Sequence, residues 1–167
     1  ASRRGIGFSL IASTGNEAVT TLADYIRVAI KDVHTKVISL FVEGLRDTPH
    51  FVDALVEARE AGKAVVICKV GRSALAQQAA TAHSGAVTGN DVAFTALCDV
   101  TGAIRVNSLN DLIETMVLLS SGVVIREPVA FISISGGGNG LIADSALENN
   151  IALSELTEST KEKLRQV

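Results

Sequence analysis

Aromatic side chains are nearly missing from this chain: tryptophan is absent, and aromatics make up 4% of residues. A core must therefore be filled by Val, Ile, Leu and Ala, the usual content of a parallel sheet covered by helices. Cysteine is equally scarce. Cys68 and Cys98 form no CxxC and no metal-ligand spacing, so neither a zinc site nor a disulfide framework is expected. They read as buried thiols of a reducing compartment, which points to the cytoplasm. No run reaches the roughly 18 apolar residues of a membrane span. The richest stretch, Leu109–Ile125, is interrupted by Asn110, Asp111, Glu114, Ser120 and Ser121. A basic stripe is lacking too. Lys and Arg are scattered and the formal net charge is −3, which argues against a nucleic-acid partner. Arg3 and Arg4 precede a short apolar run without a small-residue cleavage context, so no signal peptide is read. The initiator Met is also absent. The opening ASRRGIGF reads as a helix end, with Gly5 as its stop, entering a strand. The chain is expected to be a core piece of a longer protein.

What is present is abundant aliphatic residue, 47% hydrophobic overall, arranged as alternating strand and helix patterns. Ile6–Ala12 is a candidate strand, ending in the turn cluster STGNEA with Gly15 and Asn16. Leu22, Tyr25, Ile26, Ala29 and Ile30 recur at helical spacing, with Thr20 or Thr21 as cap. VISLFV, 37–42, predicts a strand buried on both faces. It delivers Glu43 and Gly44 at the carboxyl edge, where open α/β sheets bind ligands. Thr48-Pro49 opens a helix that Gly62 stops. AVVIC, 64–68, is a further strand. A long segment without strand character follows, with a short helix around Leu75–Ala80. Asp91–Thr101 is helical, Ala103–Val106 a short strand, and Ser108 caps the next helix with Asp111 as an imperfect capping box. Residues 123–128 read as a linker. A new unit then begins with strand Val129–Ile134, the turn SGGGNG and a helix from about Leu141 to Glu148, and another helix starts near Ser159. The expected fold is α/β: a flavodoxin-like parallel sheet with helices on both faces over 1–122, then the start of a second such unit over 129–167.

Two features carry chemistry. In AATAHSGAVTGN, 79–90, His83 sits among residues of little bulk, so backbone or ligand can approach the imidazole. A lone histidine is usually structural or simply exposed, as His34 and His50 read. His83 differs in lying on a long glycine-bearing loop that leaves the ligand edge. Glu43 ends the neighbouring strand at that edge. A carboxylate accepting one imidazole N–H would fix the tautomer and free the other nitrogen to attack, although Glu43 also reads as a plain exposed strand-end acid. The second feature is SGGGNG, 135–140. A glycine turn at a helix N-terminus presents N–H groups to an anion such as phosphate. It matches neither GxGxxG with its acidic partner nor a Walker loop. A tight connection is the alternative, and the glycine cluster favours the anion. Lys69 and Arg72 could contact an anionic substrate, but such side chains are more often solvated.

The segments STGNEA, VISLFVEGLRD, KVGRSALAQQAATAHSGAVTGN, GAIRVNSLNDLIE and SISGGGNGLIADSALE, in this order, resemble the nucleoside-diphosphate-forming acyl-CoA synthetases, relatives of succinyl-CoA synthetase. The resemblance covers almost the whole chain, and His83 followed by Ser84, Gly85 and Ala86 is its most specific part. It implies an acyl phosphate, its displacement by coenzyme A, and a phosphoryl group carried on a histidine to or from a nucleotide, ADP or GDP. By motif match His83 is the phosphohistidine and Glu43 its holder. Gly136, Gly137, Gly138 and Asn139 are the helix-start donors to the phosphoryl group, and Ser84, Gly85 and Asn16 belong to the phosphate- or substrate-binding set. The resemblance implies coenzyme A and ATP with magnesium as substrates of the whole enzyme, with no protein metal site and none of these held tightly by this chain. It implies an ATP-grasp domain or subunit, a coenzyme A-binding domain and an upstream strand–turn–helix as partners, a small carboxylic acid as substrate, and an oligomer. Two other readings stay open: a non-catalytic acyl-CoA or nucleotide-sensing domain of a protein acetyltransferase-type relative, and a plain anion-binding flavodoxin-like module.

Overall fold

The computed structural model describes residues 4–73, 75–76, 90–124, 126 and 128–166. They form two compact units, Ala1–Gly122 and Val123–Val167. In the first, the described elements run α1 (Leu22–Lys31), β1 (Val37–Val42), α2 (Thr48–Glu60), β2 (Ala64–Lys69), α3 (Asp91–Thr101), β3 (Ile104–Val106) and α4 (Leu109–Ser120). The strands form one parallel sheet in the order β1-β2-β3. Register pairs Val37 with Ala64 through to Val42 with Lys69, and Cys68 with Val106.

Successive side chains of a strand face opposite ways, and β2 uses both faces. Val65 and Ile67 join Ile38, Leu40 and Val42 under Ile26 of α1, Phe51 and Leu55 of α2, and Phe94 of α3. Val66 and Cys68 turn the other way, with Val106, against Leu112 of α4. Helices thus cover both faces of β2, and the aliphatic runs 37–42 and 64–69 are the strands, but β1 is not buried on both faces as expected: Ile38, Leu40 and Val42 are buried, while Phe41 on its other face is exposed. Both cysteines are free and buried.

The ends of the helices follow their local chemistry. Thr21 and Asp24 form a capping box at α1, in which the Thr21 N–H donates to Asp24 Oδ2 at 2.8 Å. Asp47 caps α2 by accepting from the His50 N–H at 3.1 Å. Ser108 accepts from the Asp111 N–H at 3.1 Å. Gly62 and Gly102, with φ of 70° and 79°, supply the left-handed residue that ends α2 and α3.

Three further expectations are corrected. Ile6–Ala12 joins no ladder among the described residues. A cavity of about 430 Å³ lies between it and β1, lined by Ile6, Phe8 and Leu10 on one side and Val37, Ile38 and Leu40 on the other. Backbone groups across that gap do not meet, so apolar alternation alone makes no strand. Val129–Ile134 in the second unit is likewise reduced to one parallel bridge, Val129 to Leu153. The Val129 N–H donates to Ala152 O at 2.9 Å and the Ser154 N–H to Val129 O at 3.0 Å, and no further rung follows. Finally, the helix expected from Leu141 begins five residues earlier, as α5 (Gly136–Glu148), and α6 spans Glu158–Leu164. The glycines are the helix's first turn rather than a loop before it. Of the expected Leu75–Ala80 helix, Leu75 and Ala76 are helical, with the Ala76 N–H donating to Ser73 Oγ at 3.2 Å; the rest lies outside the described residues.

Candidate functional site

Three strands end together at one edge, and the chemistry-bearing side chains of the first unit gather there. Glu43 follows β1 directly and is exposed. Among the described residues no side chain hydrogen-bonds or ion-pairs with its carboxylate. Facing it is the turn 14–17. The Glu17 N–H donates to Thr14 O at 3.3 Å, and Thr14 Oγ1 donates to Glu17 Oε1 at 3.0 Å. Gly15 and Glu17 both adopt left-handed backbone, with φ of 56° and 52°. That conformation is natural for glycine and strained for glutamate. It is held here by the two hydrogen bonds that close the turn. Asn16, between them, is thereby turned into a cavity of about 580 Å³ whose lining also includes Thr14, Glu43, Gly44 and Arg46. Asn16 and Glu43, remote in sequence, are brought to one cavity. His83, Ser84 and Gly85 lie outside the described residues.

The same edge holds a side chain the sequence expectation misplaced. Lys69 ends β2 and is only 4% exposed, not solvated. Its Nζ lies 5.5 Å from the centre of the Phe94 ring and has Val70 O, at 3.3 Å, as its acceptor. Burial pushes its pKa down; Asp91 opposes that shift, while Arg105 and Arg72 add to it. Arg105 of β3 stands over the same ring, also at 5.5 Å, and its Nη2 pairs with Asp91 Oδ1 at 2.6 Å. Its Nε is buried and has no hydrogen-bond partner among the described residues. Arg72 is exposed and donates to Asn107 Oδ1 at 2.7 Å. Sequence spacing held one signal for the burial: Lys69 continues the Val65–Ile67 row, which faces the core.

In the second unit, Ser135 caps α5. Its Oγ accepts from the Gly138 N–H at 3.1 Å, and the Ser135 N–H donates to Ser133 Oγ at 3.1 Å. This leaves the Gly136 and Gly137 N–H groups without an acceptor among the described residues, at the positive end of the helix dipole. Apart from the helix's own neighbouring backbone, no atom of the described residues lies within 4 Å of where a Cβ would sit on Gly136, Gly137 or Gly140. The donors expected from SGGGNG are therefore available, with Gly138 already taken by the cap. Asn139 follows in the same turn, its own N–H donating to Ser135 O at 2.9 Å.

Among the described residues no group of three or more His, Cys, Asp and Glu could hold a metal ion. No described helix is long and apolar enough to cross a membrane.

Comparison with known proteins places this geometry in context. The family model for the succinyl-CoA ligase like flavodoxin domain matches residues 1–119. Acetate–CoA ligase (ADP-forming) of Methanocaldococcus jannaschii is 32% identical over 163 residues, 97% of this chain and 23% of the relative. The 4-hydroxybutyrate–CoA ligase (ADP-forming) of Nitrosopumilus maritimus is 30% identical over 169 residues, 100% of this chain and 24% of the relative. Among solved structures, the dinucleotide forming acetyl-coenzyme A synthetase 1 of Ca. Korarchaeum cryptofilum, in complex with phosphate and ADP, superposes with a TM-score of 0.82 at 25% identity. The match covers 98% of this chain and 36% of that one. The chain spans about a quarter of the length of these curated relatives.

Proposed function

The chain belongs to the succinyl-CoA ligase like flavodoxin domain family, and from that membership we propose that it is the histidine-bearing core of an acid–CoA ligase forming acyl-CoA and a nucleoside diphosphate. The observation that carries this reading is the gathering of Glu43 and Asn16 on one cavity at the carboxyl edge of the sheet. Glu43 presents there a carboxylate with no partner among the described residues, and the connection bearing His83 departs from the same edge. In the synthetic direction the neutral imidazole of His83 attacks the γ-phosphorus of ATP, or of GTP, and the nucleoside diphosphate leaves. The phosphoryl group then passes from nitrogen to a carboxylate oxygen of the acid, giving an acyl phosphate and regenerating imidazole. The sulfur of coenzyme A attacks the acyl carbon, and inorganic phosphate departs.

The roles of this chain's residues follow. Glu43 accepts an imidazole N–H, which fixes the tautomer and stabilises the positive charge that the ring gains. Ser84 and Gly85 leave the backbone beside His83 free of bulk. Asn16 contributes a polar group to the substrate cavity. Gly136 and Gly137 offer two backbone N–H donors with open space in front, suited to phosphoryl oxygens, while Gly138 and Asn139 complete the turn. Magnesium is proposed to enter with the nucleotide. Nucleotide and coenzyme A are held by an ATP-grasp domain or subunit and a coenzyme A-binding domain of the same oligomeric enzyme. Residues 129–167 are the start of a second flavodoxin-like unit beyond the linker 123–128. The relatives act on acids as different as acetate and 4-hydroxybutyrate at nearly equal identity, so the substrate is assigned here as a carboxylic acid.

Treatment of the full-length enzyme with labelled ATP and magnesium is expected to leave acid-labile phosphate on His83. His83→Ala is expected to abolish both label and turnover. Labelling and turnover that survive His83→Ala refute the relay. The 167-residue chain alone is expected to form no thioester.

A further inference from the structure

The cavity that Asn16 and Glu43 share carries negative charge on its wall. Glu17 and Glu43 both line it, and among the described lining residues Arg46 alone is a cation. A carboxylic acid, an acyl phosphate and inorganic phosphate all arrive as anions, and two carboxylates repel each of them. A positive charge at the cavity must offset that repulsion, so the availability of Arg46 decides what can enter.

Arg46 is exposed, and its guanidinium makes no hydrogen bond or ion pair among the described residues. Every other described arginine of the first unit is engaged. Arg4 pairs with Glu114, Arg27 with Glu57 and Arg105 with Asp91. Arg59 donates to Val100 O at 3.2 Å and Arg72 to Asn107 Oδ1 at 2.7 Å. The acids around Arg46 have other occupations. Asp47 caps α2, its Oδ1 accepting from the His50 N–H at 3.1 Å. Glu17 Oε1 accepts from Thr14 Oγ1 at 3.0 Å. Glu43 lines the same cavity and forms no ion pair with Arg46.

The backbone on either side of Arg46 is fixed. Leu45 packs against the core cluster, and Asp47 is held as the cap of α2. A charged fork of donors is thus carried to the cavity on an anchored connection, with its acceptor position open. The guanidinium presents parallel N–H groups that match both oxygens of a carboxylate, or two oxygens of a phosphate. Asn16 lines the same cavity and can add an amide donor. We propose that Arg46 binds the oxyanion that enters this cavity, a carboxylate or a phosphate, and thereby sets the cavity's charge specificity.

The proposal rests on reading this cavity as a substrate site of an acid–CoA ligase, and its test separates the two. Binding of acetate, 4-hydroxybutyrate and inorganic phosphate to the full-length enzyme is measured by calorimetry for wild type, Arg46→Gln and Arg46→Lys, alongside thermal unfolding. The two acids are those named for the relatives. Wild type is expected to bind at least one of the three anions. Arg46→Gln is expected to weaken that binding by about tenfold or more, and Arg46→Lys, which keeps the charge but not the fork, to fall between. The anion whose affinity falls identifies the source: an acid marks a substrate carboxylate, inorganic phosphate a phosphoryl group. Arg46→Gln is expected to unfold at the wild-type temperature, because the side chain is exposed. Affinity of Arg46→Gln within twofold of wild type for every anion that wild type binds overturns the proposal. So does a wild type that binds none of the three, or binding lost together with folding, since the arginine would then serve the fold. Labelling by ATP that survives His83→Ala while Arg46→Gln still loses its anion defeats the relay and leaves the anion site standing.

Discussion

Alanine substitution along the first turn of α5 separates what the helix needs from what a ligand needs. Four of its thirteen residues are glycine, at 136, 137, 138 and 140. In a helix interior each glycine lowers stability by about 1 kcal/mol relative to alanine, and by less in the first turn, where 136, 137 and 138 lie. None of the four has the left-handed φ that would require glycine, and apart from the helix's own neighbouring backbone a Cβ at 136, 137 or 140 meets no atom of the described residues within 4 Å. Gly140→Ala, the most interior, is therefore expected to stabilise α5 by about 1 kcal/mol, which raises amide-exchange protection about fivefold. Gly137→Ala should move the same way by less. Gly138→Ala should not: its added carbon would lie 3.3 Å from Ser135 Cβ, 3.4 Å from Ser135 Oγ and 3.5 Å from Ser133 Oγ. Disturbing that cap costs about 1 kcal/mol and cancels the gain. The assay is hydrogen exchange of the α5 amides in the full-length protein, variant by variant. Protection that falls in Gly140→Ala, or rises equally in Gly138→Ala, refutes the reasoning. If the pattern holds, the glycines at 136 and 137 are kept against a stability gain, as donors that something must approach closely.

Phe51, 2% exposed at the centre of the α1–α2–β-sheet core, is expected to cost about 3–5 kcal/mol when replaced by Ala, read as a lower urea midpoint at unchanged slope. Asp32 has its pKa lowered from 3.8 to about 2, first by the Thr35 hydroxyl, then by the His34 N–H and Ser9. Its contribution to stability is complete above pH 3.8 and is lost as pH falls through about 2, so between those values the urea midpoint of wild type should fall more steeply than that of Asp32→Asn. Glu43→Gln, at an exposed position, should leave thermal unfolding unchanged. It should slow labelling of the full-length enzyme by ATP by about 100-fold or more, since the amide no longer supports the charged imidazole.

Much of the first unit is legible in its sequence because the deciding interactions are local or periodic. VISLFV and AVVIC are near-continuous aliphatic runs of strand length, and both are strands of the parallel sheet, with AVVIC in its middle. Thr21 and Ser108 stand where caps are required, and Gly62 and Gly102 where helices must stop. Ile6–Ala12 shows the opposite case. Ile6, Phe8 and Leu10 alternate as a strand should, yet a strand exists only with a hydrogen-bonded neighbour, and pairing is a property of distant chain. Val129–Ile134 fails for the same reason. At the site, Glu43 was legible because a buried strand ends just before it. Its meeting with Asn16 depends on Glu17 taking a left-handed φ, for which glutamate carries no signal. Lys69 was misjudged because charge was read before parity. It occupies the core-facing row of β2, and the pattern of the strand, not the chemistry of the residue, decides where it points.

The departures from local rules are distributed unevenly, and their distribution is itself evidence. At the amino end of β2, Lys63 is satisfied by carbonyls of the α1–β1 connection, and left-handed backbone falls on Gly62. At the carboxyl end, left-handed backbone falls on Glu17, a charge is buried on Lys69, and a carboxylate is presented on Glu43 with no partner among the described residues. Each of these lowers stability or leaves it unimproved, and a sequence selected for folding alone would remove them by the same substitutions used elsewhere in the chain: glycine at a left-handed position, an apolar residue in a core-facing row. They concentrate at the edge where parallel α/β sheets bind their ligands. The balance of cost singles out the edge at which the ligand site is proposed, while the other edge is arranged to hold the sheet together.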